Sequence, residues 1–411
     1  MTTFYDALEH RDPGEREMQL LLALTQQISN AKQNSKYFGQ HLADVDPQSI
    51  TTREALAQLP VTRKSDLNRL QSAELPFGGM LTRPVADMAR VFASPGPIFD
   101  PESHTADYWR IARALFAAGV RRGELVHNTF SYHFSPAGSM LETAAHALGC
   151  PVFPAGVGQT ELQVEAISSL RPSVYVGTPS FLNIILDKAD ELGVDVSAVN
   201  KALVSAEPLP ATLRAGFGER GIHVRQAYVT ADLGLLAYES EAMDGLILDE
   251  GVVLELLRPG TEDPVAEGEV GEVTITTLNS EYPLIRFATG DLSAIEPGMS
   301  PCGRTNVRIK GWMGRADQTT KVRGMFVHPA MVDKIVKRYP QISKARLVVA
   351  NADNRDSMVL NCEVSEGSSE LAGSIGEAIR DVTKLRGEVE FVSPGSLVND
   401  GKVIDDVRTY D

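Results

Sequence analysis

The chain has 411 residues, 43% hydrophobic and 23% charged, with a formal net charge of −15. That length exceeds one ordinary domain and the apolar fraction suffices for a sizeable core, so two or three domains are expected. The acidic balance lacks the basic face a nucleic-acid binder needs, and no apolar run reaches the roughly 18 to 20 residues of a membrane span.

Cys150, Cys302 and Cys362 are odd in number and far apart, which argues against a disulfide framework. The opening "MTTFYDALEHRDPGERE" is polar and charged rather than leader-like. The expectation is a soluble cytoplasmic protein with no nucleic-acid or membrane partner.

In chain order, "REMQLLLALTQQISNAKQNSKYFGQHL" has the spacing of one amphipathic helix ending near Gly39. Residues 91–102, "VFASPGPIFDPE", then look like a loop for phosphate, with Ala93, Ser94 and Gly96 after an apolar pair. A phosphate cradle needs backbone N–H donors, hydroxyls and positive charge. Pro95, Pro97 and Pro101 withhold donors, and acids follow them rather than a lysine. From about 90 to 225, strand-like runs ("ELVHNTF", "CPVFPAG", "SVYVGTP", "KALVSA") alternate with helix-like ones. That rhythm predicts a mostly parallel sheet covered by helices, with ligands beyond the carboxyl ends of its strands.

From about 246 the texture becomes alternating strands with Gly, Pro and Asp turns, read as a β-rich subdomain reaching about 312. After "GWMGRADQTTKVRG" come helix "AMVDKIVKRY", strands "KARLVVAN" and "SMVLNCEV", helix "LAGSIGEAIRDVTKL" and strand "GEVEFVS". The expected class is α/β: a large N-terminal domain over 1–316 and a small α+β domain over 317–411.

Three constellations could carry chemistry. In "RFATGDLSAI" a strand ends at Gly290-Asp291, which reads either as a structural corner or as a carboxylate for a ribose diol. In "RQAYVTADLGLL", Tyr228 is a core aromatic or a base-stacking ring, and Asp232 a helix N-cap or a magnesium ligand, with Thr230 between them. Lys402, in "NDGKVIDD", is a solvated lysine or a point charge that a glycine turn presents to phosphate. "AGVGQTE" lacks dinucleotide spacing, there is no Gly-x-Ser-x-Gly elbow, and His127, His133 and His146 lack zinc-ligand company.

Together and in this order, the pieces resemble the adenylate-forming, AMP-binding enzymes, in the phenylacetate–CoA ligase-like branch. The strongest blocks are "YPLIRFATGDLSAI", "CGRTNVRIKGWMGRADQTTKVRGMFVHP" and "PGSLVNDGKV", supported by "GVGQTELQ", "SAEPLP" and "LPVTRKSDL". The resemblance implies ATP, Mg²⁺ and CoA, an acyl-adenylate intermediate, an aromatic or arylacetic carboxylate substrate, and a homodimer. It implies that Asp291 binds the ribose and that Ala206, Glu207, Pro208 and Tyr228 wall the adenine. Arg315 assists at ribose or phosphate, and Asp232 holds magnesium. Asp317 becomes the hinge of a mobile C-terminal domain, and Lys402 the lysine that contacts carboxylate and α-phosphate. The acyl pocket falls to Tyr132, His133, Gly138 and Gly158, and the CoA step to Val322, Arg323 and Gly324.

This chain also departs from the pattern. The family carries a Ser/Thr-Gly-rich loop ending in Pro-Lys where this chain keeps only Ser94 and Gly96. Loss of one well-placed donor costs about 10²- to 10³-fold in rate, and Asp100 and Glu102 add negative charge unless a metal intervenes. Ala231-Asp232 replaces Thr-Glu or Ser-Glu, leaving Thr230 as a substitute hydroxyl. Only Cys302 remains of a zinc set found in some relatives, so no zinc is expected. The reading is an AMP-forming acid–CoA ligase; the alternatives are transfer to a non-CoA acceptor, or an impaired relative that binds AMP, acyl-adenylate or CoA.

Overall fold

The computed structural model describes residues 3–94, 97–266, 268–316, 318, 320–323, 325–352, 355–398, 400 and 402–408. Gly96, Asp317 and Gly324, expected at the phosphate loop, the hinge and the CoA site, lie outside the described residues. The chain forms two compact units. One comprises Met1–Leu254, Ile275–Phe287 and Ile295–Trp312; the other comprises Glu255–Thr274, Ala288–Ala294 and Met313–Asp411.

The first unit is built on a nine-stranded sheet. Val152–Phe153, Val126–Asn128, Val174–Gly177, Lys201–Val204 and His223–Thr230 lie side by side and parallel. Gly234–Tyr238, Leu246–Leu248, Arg308–Ile309 and Ile295–Glu296 continue the sheet antiparallel. The strand "VYVG" is buried at all four positions, as expected of a parallel strand covered on both faces. The intervening helices are held by local chemistry. Thr178 accepts the Phe181 N–H at 3.3 Å to cap Pro179–Leu192, and Gly193 ends that helix at φ +63°. Its periodic apolar face places Leu182, Ile185, Leu186 and Ala189 in a cluster with Tyr175, Val204 and Phe217.

Three expectations are revised here. The N-terminal helix is two helices, Pro13–Asn34 and Lys36–His41, broken at extended Ser35. The Ser35 hydroxyl accepts the Phe38 N–H and donates to the Gly79 carbonyl, which apolar spacing does not register. The 91–102 "loop" is an antiparallel hairpin of Arg90–Ser94 and Ile98–Glu102, with Phe92 opposite Asp100. The 246–312 stretch is divided: Leu246–Leu248, Ile295–Glu296 and Arg308–Ile309 belong to the large sheet. Val252–Leu257, Gly271–Thr277 and Phe287–Ser293 join Thr62–Arg63 in a separate four-stranded one. The unit boundary falls inside those three longer strands.

The second unit contains a four-stranded sheet in the order Glu388–Val392, Arg355–Glu363, Lys344–Ala352, Ile404–Asp406. Helices Pro329–Val336 and Ser369–Thr383 bury Val332, Ile335, Ile375 and Ile379 with Leu347, Val349 and Leu360. Ile404–Asp406 runs parallel to Lys344–Ala352, with Leu347 opposite Ile404. This three-residue, acid-rich strand carries no alternation to betray it, yet it fixes the segment just after Lys402.

Candidate functional site

In the first unit the parallel strands deliver the expected residues to one sheet edge, past their carboxyl ends, where ligands of such sheets bind. Ala206, Glu207 and Pro208 follow Lys201–Val204, and Tyr228 and Thr230 end the neighbouring strand His223–Thr230. The Ser205 hydroxyl donates to the Ala227 carbonyl at 2.8 Å and ties the two segments together. All three of Ala206, Glu207 and Pro208 are exposed. Ala206 holds φ +69°, a left-handed conformation that costs a non-glycine residue about 1–3 kcal/mol and clusters at functional sites. A register shift between Tyr228 and Val229 bends the strand there.

The residues assigned to the acyl pocket separate into different roles. The Tyr132 hydroxyl accepts from Asn128 Nδ2 and donates to Glu142 Oε2, both at 2.8 Å. Burial, and then the Glu142 carboxylate, raise its pKa. Its polar end is thus tied into the fold. Gly138 is buried in the helix Ala137–Ala147, where a Cβ would stand 2.7 Å from the Ser131 carbonyl and 2.8 Å from the Tyr132 ring. It is a packing glycine that seats Tyr132. His133 is exposed, and with Ser94, Pro97, Ser131, Phe134 and Ser135 it lines a shallow groove of about 660 Å³. Gly158, at φ +75°, offers its carbonyl to Gln163 Nε2 at 3.1 Å.

The hairpin of Arg90–Ser94 and Ile98–Glu102 is docked against its neighbours. Gln71 bonds both backbone groups of Phe99 at 2.8 Å, and the Ala93 N–H donates to the Phe134 carbonyl at 2.8 Å. Ser94 is buried, and its hydroxyl donates to the Ile98 carbonyl at 3.3 Å. Asp232 lies in a turn before the strand Gly234–Tyr238, so it caps no helix. Its side chain is buried, with Oδ2 paired to Lys64 Nζ and Oδ1 lacking a hydrogen-bond partner. Asp100 is fully buried, and neither of its oxygens has a partner. Burial, and then the Asp232 charge, hold its pKa well above the ordinary carboxylate range. The unpartnered carboxylate oxygens are hard donors of the kind Mg²⁺ takes. Among the described residues no three His, Cys, Asp or Glu side chains gather as a complete metal site.

In the second unit Asp291 and Arg315 face each other across a short antiparallel bridge, with Arg315 Nη1 2.7 Å from Asp291 Oδ1. Two further backbone bonds, Leu292 N–H to Gly314 O at 2.9 Å and Ala316 N–H to Gly290 O at 2.7 Å, fix that register. Gly290 suits this turn: its φ is +79°, and a Cβ would lie 2.6 Å from Arg315 Nη2, whose guanidinium would have to shift. Arg315 and Lys402 line one cavity of about 240 Å³, together with Gln318, Thr320, Asp405 and Asp406. The Lys402 ammonium is half exposed and donates to Asp405 Oδ1 at 2.8 Å. Val322 is buried in the core of this unit. Arg323 occupies the adjoining turn at φ +47°, bonded to the Asp356 carbonyl at 2.7 Å.

Four residues that sequence reasoning did not assign stand out. Lys64 lies inside the quoted "LPVTRKSDL" block, but nothing separates it by pattern from the other basic residues. Asp100 reads from sequence as added negative charge unless a metal intervenes, with no assigned role. Gln318 accepts from the Ile404 N–H at 2.9 Å and from the Val403 N–H. Arg346 is buried and holds the Lys402 segment by the Val398 carbonyl at 2.8 Å, the Lys402 carbonyl at 3.2 Å, and the Asp400 carboxylate.

Comparison with known proteins follows the same lines. Residues 324–407 match the AMP-binding enzyme C-terminal domain. The chain is 31% identical over 366 residues to a phenylacetate-coenzyme A ligase of Thermus thermophilus, covering 84% of this chain and 81% of that protein. It is 28% identical over 380 residues to a phenylacetate-coenzyme A ligase of Escherichia coli, covering 86% and 85%. Among solved structures it resembles an open conformation of 2-hydroxyisobutyryl-CoA ligase in complex with 2-HIB-AMP and CoA. That likeness has a TM-score of 0.74 at 23% identity, over 97% of this chain and 92% of the other.

Proposed function

Because the chain belongs to the phenylacetate–CoA ligase family of adenylate-forming enzymes, we propose that it is an AMP-forming acid–CoA ligase for an aromatic or arylacetic carboxylate. The observation that carries this reading is the cavity where Arg315, paired to Asp291, and Lys402 meet. A carboxylate held there attacks the α-phosphorus of ATP, the bond to pyrophosphate breaks, and the acyl-adenylate forms. The thiolate of CoA then attacks the acyl carbon and releases AMP.

Two anions approach each other in the first half-reaction, so positive charge must be fixed where charge develops. Lys402 supplies it as a point donor to the carboxylate and α-phosphate. Asp291 accepts from the ribose hydroxyls, and Arg315 holds it in place while remaining available to phosphate. Tyr228 and the 206–208 segment flank the base. Asp232 would hold Mg²⁺, which would supply charge neutralisation at the phosphate oxygens as pyrophosphate departs. The segment at Asp317 serves as the hinge by which a C-terminal domain over 317–411 withdraws Lys402 and admits CoA beside Arg323. The enzyme acts as a cytoplasmic homodimer.

The test is direct. Pure protein with ATP, Mg²⁺, CoA and a panel of aryl and arylacetic acids is expected to release AMP and to form a thioester with at least one acid. Adenylate without thioester would move the reading to another acceptor. Neither AMP nor thioester across a broad panel would overturn it.

A further inference from the structure

The two acids of the altered hairpin have opposite fates, although they sit two residues apart on one strand. Glu102 is fully engaged: Trp109 Nε1 donates to it at 3.1 Å, the Ser139 hydroxyl at 2.6 Å, and Arg90 pairs with its other oxygen. Asp100 is buried as deeply and receives none of these. The neighbouring Ser94 hydroxyl is turned to the Ile98 carbonyl instead. Buried polar groups are nearly always paired, so an aspartate with two unpartnered oxygens calls for a cause.

Its surroundings supply one. The strand Ile98–Glu102 is stapled by Gln71 to the helix Leu67–Ala73, and the turn just before that helix carries Lys64, which pairs with Asp232. Asp232 keeps one oxygen unpartnered, and its charge acts on Asp100. The Tyr108 hydroxyl, buried and without a hydrogen-bond partner, is held up in pKa first by burial and also by the Asp100 charge. Asp100 and then Asp232 act likewise on Tyr282, after burial. The two carboxyl groups outnumber the one ammonium, and three of their four oxygens are aimed at no protein donor. Magnesium uses one or two carboxylates and completes its shell with water and substrate phosphates.

We propose that Asp100 is a second carboxylate ligand, with Asp232, for the divalent cation that accompanies the triphosphate. The chain thereby holds in protein-bound metal a positive charge that the hairpin, with no lysine between Val91 and Glu102, does not supply. Lys64 is the cation's competitor for Asp232 and turns away when the metal enters. This rests on the proposed ligase reading only for the identity of the phosphate ligand. The metal site itself is tested with neither an acid substrate nor CoA.

The experiment titrates metal-free, full-length protein with Mn²⁺ and follows the decrease of the free-ion EPR signal, with thermal melts as a folding control. Wild type should bind one ion per chain. Asp100→Asn should weaken binding by at least about tenfold, while Asp100→Glu, which keeps the charge, should retain it. Lys64→Met should tighten binding several-fold, because it releases Asp232, and this variant decides the matter if Asp100→Asn does not fold. Mn²⁺ affinity that is unchanged in Asp100→Asn, or unimproved in Lys64→Met, overturns the proposal. Absence of binding by wild type at about 10 mM Mn²⁺ overturns it as well. A failed ligase assay with intact Mn²⁺ binding would reject the functional reading and leave this site standing.

Discussion

Arg346→Met tests how Lys402, the proposed adenylating lysine, is held in place. Arg346 is buried, and its guanidinium bonds the Val398 and Lys402 carbonyls at 2.8 and 3.2 Å and the Asp400 carboxylate. Methionine fills most of the volume and returns none of those donors. Hydrogen bonds to a charged group are worth about 1.5–3 kcal/mol each, and breaking a buried ion pair costs about 3–5 kcal/mol. Asp400 keeps a third of its side chain in water, so solvation offsets part of that loss. A net local cost of about 2–4 kcal/mol is therefore expected, concentrated on the segment that positions Lys402. A misplacement of about 1 Å at a reacting group lowers rate about 10²-fold. Rapid-quench measurement of pyrophosphate release should then show adenylation slowed by about 10- to 100-fold, approaching the effect of Lys402→Ala. Transfer of a chemically made acyl-adenylate to CoA, which does not need Lys402, should change by less than about threefold on the same energetic scale. Equal loss in both half-reactions, or none in either, would refute the role given to Arg346.

Two further outcomes follow from single residues. Gly290→Ala places a Cβ 2.6 Å from Arg315 Nη2 at φ +79°. The guanidinium end can swing aside, so the melting temperature should fall only by the left-handed strain of about 1–2 kcal/mol. The KM for ATP should rise several-fold, because the Asp291 partner has moved; an unchanged KM would count against the ribose site. Asp107 has its pKa raised to about 7, chiefly by burial, while accepting the Ala112 N–H at 3.1 Å. A folded-state pKa above the unfolded one means that the native state binds the extra proton. This group's contribution is therefore fully present below about pH 4 and is lost as pH rises through about 7. Asp107→Asn should remove that decline, so urea midpoints at pH 5 and pH 8 should lie closer together than in wild type; an unaltered difference would refute it.

The sequence determined a good deal. Runs such as "VYVG" and the capped, periodic helix after Thr178 announce a parallel α/β sheet, because covered strands and amphipathic helices write their burial into local periodicity. The blocks around Gly290-Asp291, Arg315 and Lys402 carry the resemblance to adenylate-forming enzymes, the family to which the chain belongs. Local pattern failed where the cause was distant. Ser35 breaks a helix by bonding to Gly79, and Ile404–Asp406 is a strand only because Lys344–Ala352 offers it an edge. Most of all, tertiary structure alone separated Asp100 from Glu102. Both are acids in one hairpin, but Trp109, Ser139 and Arg90 come from elsewhere to satisfy the second and none comes to the first. Whether a carboxylate is structural or waits for a cation depends on which donors other parts of the chain bring within about 3 Å, and no linear spacing records that.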